Sequence, residues 1–158
     1  LITISYAYTF RYSTLVKALT ALGLLTLGLL LYLLCAEEHW TSFARIVCVV
    51  VVVFLLYHPL SMPLSLTDDG EEVILRRLLW TTRYSRSVYD ITEERSEAPE
   101  KALRVFGSGG YFGFSGLFYK SGLGFFRLLM TESTTHYLRI QRKGGSWPLY
   151  IAYRPSKS

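Results

Sequence analysis

Two apolar runs, Ala18–Cys35 and Ile46–Leu60, follow one another near the start of the chain, and beyond Pro63 hydrophobic positions occur only in short clusters between turn residues. At 1.5 Å per residue the first run spans about 27 Å as a helix, close to the roughly 30 Å hydrocarbon core of a bilayer. Only Thr20 and Thr26 interrupt it. The second run reaches a comparable span when extended back to Phe43, provided that the long Arg45 side chain snorkels to the interface. The link Ala36–Ser42 allows only a tight connection, so the pattern predicts an antiparallel transmembrane hairpin. Ala21 and Gly28 share a face of the first helix and offer the second a close approach.

Before the hairpin, Ile2, Ile4, Tyr6, Tyr8 and Phe10 alternate with smaller or polar residues, which predicts a strand. It emerges on the same side as the C-terminal segment and is expected to pair with an edge of that segment's sheet. After the hairpin, strands are predicted over Leu64–Thr67 and Val73–Trp80, joined by the Asp68-Asp69-Gly70 turn, and over Arg83–Ile91. Thr92–Lys101, acidic and holding Pro99, reads as a loop. Leu103–Phe106, Gly113–Phe118, Gly124–Thr131, Tyr137–Arg142 and Trp147–Ala152 follow as strands, with Gly144-Gly145 closing a hairpin. The expected organisation is a juxtamembrane strand (1–14), a transmembrane helical hairpin (15–60) and a β domain (62–158). The fold class is an α+β membrane protein whose domain is a small antiparallel β-barrel or sandwich.

Charge gives the hairpin a direction. Arg11 and Lys17 precede it, Glu37 and Glu38 lie in its connection, and the segment after Pro63 carries 14 of the 17 Lys and Arg residues against 10 of the 12 Asp and Glu. The positive-inside bias therefore places both termini in the cytoplasm and the chain in the inner (plasma) membrane as a multi-pass protein, with Arg45 the one dissenting charge. Tyr32, Trp40 and Tyr57 fall at interfacial depths. A cleaved lipoprotein signal is disfavoured, because Leu34 precedes Cys35 where a small residue is required.

Little in the sequence points to chemistry. Cys35 and Cys48 form no Cys-x-x-Cys pair and read as apolar packing residues. His39, His58 and His136 are too dispersed for a metal site. Glu93, Glu94, Glu97 and Glu100 crowd one polar segment and read as a solvated loop. The basic residues are scattered and interrupted by Glu-rich stretches, so nucleic acid is not an expected partner. Arg76, Arg77, Arg83, Arg86, Lys120 and Arg127 are the candidates for lipid or protein contact, and strand alternation puts Arg76 and Arg77 on opposite faces.

The most distinctive stretch is Arg104–Arg127, in which seven glycines alternate with aromatics. Gly107 and Gly109 begin a G-x-G-x-x-G, but Phe112 occupies its last position, so a dinucleotide site is not expected. Gly113-Phe114-Ser115-Gly116-Leu117 misses the G-x-S-x-G of a nucleophile elbow at its final residue. Glycines in strands mark bulges, corners or close backbone approach, and a barrel corner is the plain reading.

Over Arg104–Gly113, Gly116–Phe118, Thr131 and Gly144–Ile151 the chain resembles the membrane-anchored members of the bacterial pleckstrin-homology-like family. The resemblance covers about residues 64–152. It implies a seven-stranded, strongly bent β-barrel-like sandwich tied to the membrane, without enzymatic activity and without a cofactor. It also implies a helix closing one open end of the barrel. The sequence stops at Ser158, just after Arg154-Pro155, so the cap is expected to be absent, truncated or replaced by another plug, with the N-terminal strand a candidate. The expected function is a non-enzymatic interaction or assembly module facing the cytoplasm, with the bilayer and a protein partner or a second copy as its contacts. The alternatives are a peripheral sensor of anionic lipid and an accessory subunit of a transporter or membrane enzyme.

Overall fold

The computed structural model describes residues 6–8, 10, 12–36, 41–95, 101–109, 111–145 and 147–154. Two helices come first, α1 (Thr14–Ala36) and α2 (Ser42–Ser61), preceded by a short strand β1 (Tyr6–Tyr8). At 23 and 20 residues they are about 35 and 30 Å long. Ser13 caps α1 by accepting from the Val16 amide, and Thr41 caps α2 by accepting from Ala44. The helices lie antiparallel, with the Cys48 thiol against the Leu30 carbonyl.

Both helices are long and apolar enough to cross a membrane. They do not form the core of the β domain: only Val16 and Leu27 are buried on α1, and only Cys48, Val52 and His58 on α2. Leu22, Leu25, Ile46, Val50 and Val53 are all at least 59% exposed. Gly28, expected to admit α2, is exposed, and a Cβ added there would meet nothing within 4 Å. The close approach on α1 occurs at Gly23 and is made by Tyr111 of the β domain, not by α2.

Nine strands follow: β2 (Pro63–Asp68), β3 (Glu72–Arg77), β4 (Thr81–Ser85), β5 (Tyr89–Arg95), β6 (Leu103–Gly109), β7 (Phe114–Lys120), β8 (Gly124–Met130), β9 (His136–Arg142) and β10 (Leu149–Ala152). They form two sheets, of order β1-β2-β3-β4 and β5-β9-β10-β8-β7-β6. The expected docking of the N-terminal strand is observed, since β1 runs antiparallel to β2 with Ala7 opposite Thr67. Residues 1–5, 9 and 11 of that expected strand lie outside the described residues.

Alternation along β8, β9 and β10 gives the six-stranded sheet two apolar faces. Leu138, Ile140, Leu149 and Ile151 meet Leu66, Val73 and Leu75 of the four-stranded sheet in the inter-sheet core. Phe126, Leu128, Met130, Tyr137 and Tyr150 form a second cluster on the other face. Each such Leu or Ile removed from water contributes roughly 1.5–3 kcal/mol, which fixes the register on both faces.

Three expectations are corrected. The strand expected over Arg83–Ile91 is two strands in different sheets, turning at Arg86–Val88, and the second runs on through Thr92–Arg95 in place of the expected loop, so that Glu93 and Glu94 lie on β5 opposite Leu138 and Tyr137. The buried Asp68 carboxylate requires a cation, and Arg86 reaches it while also donating to the Ile91 carbonyl, which draws the chain around a corner. Strictly antiparallel pairing also fails, because β10 is parallel to β8 with Tyr150 opposite Leu128. The turn at Gly144-Gly145 folds β10 back on β9, into the gap that the β8–β9 connection leaves. Finally, among the described residues nine strands follow the hairpin rather than seven, and the sheets do not close into a barrel. Here β4 pairs only with β3, and β6 only with β7. A bulge between Arg104 and Phe106 distorts β6, as bulges commonly do at sheet edges.

Candidate functional site

The gap between the free edges of β4 and β6 is a cleft of about 510 Å³, bounded by the last turns of α2. Its construction starts from the helix terminus. The final carbonyls of a helix lack intrahelical donors. The Ser61 carbonyl receives Arg77 Nε at 2.8 Å, while Arg77 Nη1 donates to Thr82 Oγ1 at 2.6 Å. The guanidinium lies 5.7 Å from the Trp80 ring centroid, and Trp80 stacks on Tyr57 of α2 at 6.2 Å. One arginine thus ties the β3–β4 turn to the helix end.

A second tie comes from the glycine-rich run. Rather than forming a barrel corner, it makes the β6–β7 hairpin, whose tip sits on both helices. Phe112, at φ 56°, donates its amide to Thr20 Oγ1 on α1 at 2.9 Å. The Tyr111 ring lies over Gly23, where an added Cβ would stand 2.3 Å from the ring carbons. The same ring stacks on His58 of α2 at 6.0 Å. Burial pushes the Tyr111 phenol pKa above its ordinary value. Ser13 at the start of α1 adds a third tie, its amide donating to the Thr131 carbonyl at 3.2 Å.

His58 faces the cleft at 5% exposure. Its Nδ1 is 3.5 Å from Ser115 Oγ, and Nε2 has no hydrogen-bond partner, although the Tyr111 and Gly113 carbonyls are near the ring. A Ser–His pair invites a hydrolase reading, but among the described residues no carboxylate orients this imidazole. Ser115 also lies within strand β7 rather than at a strand-to-helix elbow.

The six candidate cations do not form one patch. Arg77 and Arg127 line the cleft. Arg127 shares a face of β8 with Leu129, which packs against the inter-sheet core, and its guanidinium makes no hydrogen bond or ion pair among the described residues. As alternation requires, Arg76 is on the other face of β3 from Arg77; Arg83 lies on that same outer face, paired with Glu72 at 3.6 Å. Arg86 is committed to Asp68. Lys120 stands at the β7–β8 turn, opposite Gly124. No carboxylate lines the cleft, and no cluster of His, Cys, Asp or Glu capable of holding a metal occurs among the described residues.

His58, Trp80 and Tyr111 escape a sequence reading. The first lay at an apparent helix end, the second at the end of a predicted strand, and the third among glycines read as a corner. The usable signal was an aromatic pair flanked by glycines, Gly109-Gly110-Tyr111-Phe112-Gly113, able to enter a tight space.

A second cavity, of about 640 Å³, opens on the other face of the six-stranded sheet between the start of α1 and β6, with Arg104 beside Phe114, Phe118 and Met130. It lacks the first cleft's second arginine and its buried imidazole. Comparison with protein-family models, with curated proteins and with solved structures finds no match to this chain.

Proposed function

We propose that the chain is a non-enzymatic interaction and assembly module anchored in the inner membrane, its β domain of pleckstrin-homology-like type held against the cytoplasmic surface. In this reading α1 and α2 cross the bilayer as a hairpin. Their outward-facing leucines, valines and isoleucines are not covered by the described residues of this chain, and the helix lengths match the hydrocarbon thickness. Lys17 in the first turn of α1, Arg11 earlier in the sequence and the basic surplus after Pro63 favour the cytoplasmic side. The glycine-rich run supports the pleckstrin-homology-like assignment, while the strand number and the parallel β8–β10 pair depart from it.

The single observation that carries the role is the triple seating of the domain on the helices: Tyr111 and Phe112 on α1 and α2, Arg77 and Trp80 on α2, and Ser13 on Thr131. A domain tied at three points presents a fixed surface to a partner, unlike one on a linker, whose orientation is averaged. Chemical crosslinking of the full chain in native membranes, followed by purification and mass spectrometry, tests this. The expected result is crosslinks from the β domain to a stoichiometric foreign subunit or to a second copy. Crosslinks confined to the helical hairpin, with none from the β domain, would refute it. The lipid-facing alternative is favoured by one observation, the cleft with Arg77 and Arg127 beside the end of α2.

A further inference from the structure

We infer that the cleft between α2, β4 and β6 holds the phosphate of an anionic lipid headgroup, taken sideways from the bilayer that contains the helices. This rests on the proposal that α1 and α2 span a membrane. Several independent features of the site converge on it.

The cleft is built for an anion. Arg127 enters it without a carboxylate partner among the described residues, and Arg77 is held rigidly by Ser61 and Thr82 with Nη2 unengaged. Fixed guanidinium groups suit phosphate oxygens, which they bind through paired N–H donors. At the inner wall Ser115 adds a hydroxyl, 3.5 Å from Nδ1 of the buried His58. The volume of about 510 Å³ lies within the range of small-molecule sites.

The mouth is built for a bilayer. Phe54 and Tyr57 of α2 line it together with Trp80 and Phe106, and Phe106 is 72% exposed. Leu78 and Leu79, in the same turn as Trp80, are 61% and 67% exposed. These residues sit beside the last turn of a helix about as long as the hydrocarbon core is thick, at the depth where aromatic side chains collect and headgroups begin. A soluble phosphate compound would have no use for this apolar rim. A lipid whose chains lie along α2 would meet it directly.

The test uses the full chain in nanodiscs, with Trp40→Phe and Trp147→Phe leaving Trp80 as the sole tryptophan. Its fluorescence is read with brominated phosphatidylcholine or brominated phosphatidylglycerol at equal mole fraction. Quenching by both lipids is expected, with phosphatidylglycerol associating roughly tenfold more strongly, the equivalent of about 1.4 kcal/mol. Arg127→Gln should remove that preference, Arg127→Lys should keep part of it, and Arg76→Gln on the outer face should leave it intact. Equal quenching by the two lipids in the wild type would overturn the headgroup site while leaving the membrane reading standing. Absence of quenching by either lipid would overturn the membrane reading itself. Loss of the preference on adding millimolar inorganic phosphate would overturn the lipid source in favour of a soluble phosphate.

Discussion

Gly107 and Gly116 face each other across β6 and β7, and replacing Gly116 with alanine measures how closely those strands must approach. Gly116 has φ +136°, and a Cβ there would stand 2.1 Å from the Phe106 carbonyl oxygen and 2.7 Å from the Gly107 Cα. Gly107, at φ +123°, is in the same position, 2.0 Å from the Ser115 oxygen. Both obstacles are backbone, so no side-chain rotation relieves them. The glycine-only dihedral costs about 1–3 kcal/mol and forced displacement of packed atoms about 1–3 more, giving about 2–6 kcal/mol in all. Against the 5–15 kcal/mol typical of a domain, that is a large share. Thermal unfolding of the full chain in nanodiscs, followed by tryptophan fluorescence, should show a fall in Tm of about 10 °C or more. Gly122→Ala is the reference, since Gly122 has φ +90° but nothing within 4 Å, so only the dihedral term of about 1–2 kcal/mol applies. If Gly116→Ala destabilises no more than Gly122→Ala, the two strands can separate freely and the close-approach argument is wrong.

Three further outcomes follow from the same geometry. Gly23→Leu should expel Tyr111 from its seat and raise hydrogen exchange through 107–113 while both helices remain protected; unchanged exchange there would mean that the hairpin tip is held by other contacts. Asp69 accepts the Glu72 and Glu71 amides at 2.7 and 3.1 Å, and these bonds hold its carboxyl below the ordinary pKa. A depressed folded pKa contributes stability that is present above the unfolded value near 3.9 and disappears as pH falls through the folded value. Acid unfolding of Asp69→Ala should therefore show a shallower dependence below about pH 4 than the wild type, and identical acid limbs would contradict this. Cys35, exposed at the far end of α1, should react with an impermeant maleimide from outside intact spheroplasts, with buried Cys48 unreactive; labelling of Cys35 only in inverted vesicles would reverse the orientation.

What the sequence discloses depends on the range of the interaction. An apolar run as long as Ala18–Cys35 has few alternatives to a helix, and Asp69-Gly70 and Gly144-Gly145 mark turns through purely local preferences. Most strand limits followed from those local signals to within two or three residues. The break at Arg86 was not legible, because its cause is a buried carboxylate 18 residues earlier. Nor was the parallel neighbour of β10, since strand alternation is the same for either pairing direction. Arg77 and Arg127 stood among the six candidate cations, but their convergence on one cleft depends on which sheet edges remain unpaired. The buried imidazole and the tyrosine over Gly23 depend on contacts between the helices and the β domain, which no local pattern encodes.

The place of β10 within its sheet imposes an order on biosynthesis. This strand lies between β8 and β9, so the six-stranded sheet remains in two parts until residues 149–152 have been made. Translation proceeds at roughly 5–20 residues per second, so the helices precede that closing strand by some 5–20 s. During that interval both helices are already made while an incomplete sheet, with unsatisfied strand edges, waits for its closing strand. The nascent domain is therefore a natural client for chaperones, and slowed translation late in the message would lengthen its period of vulnerability.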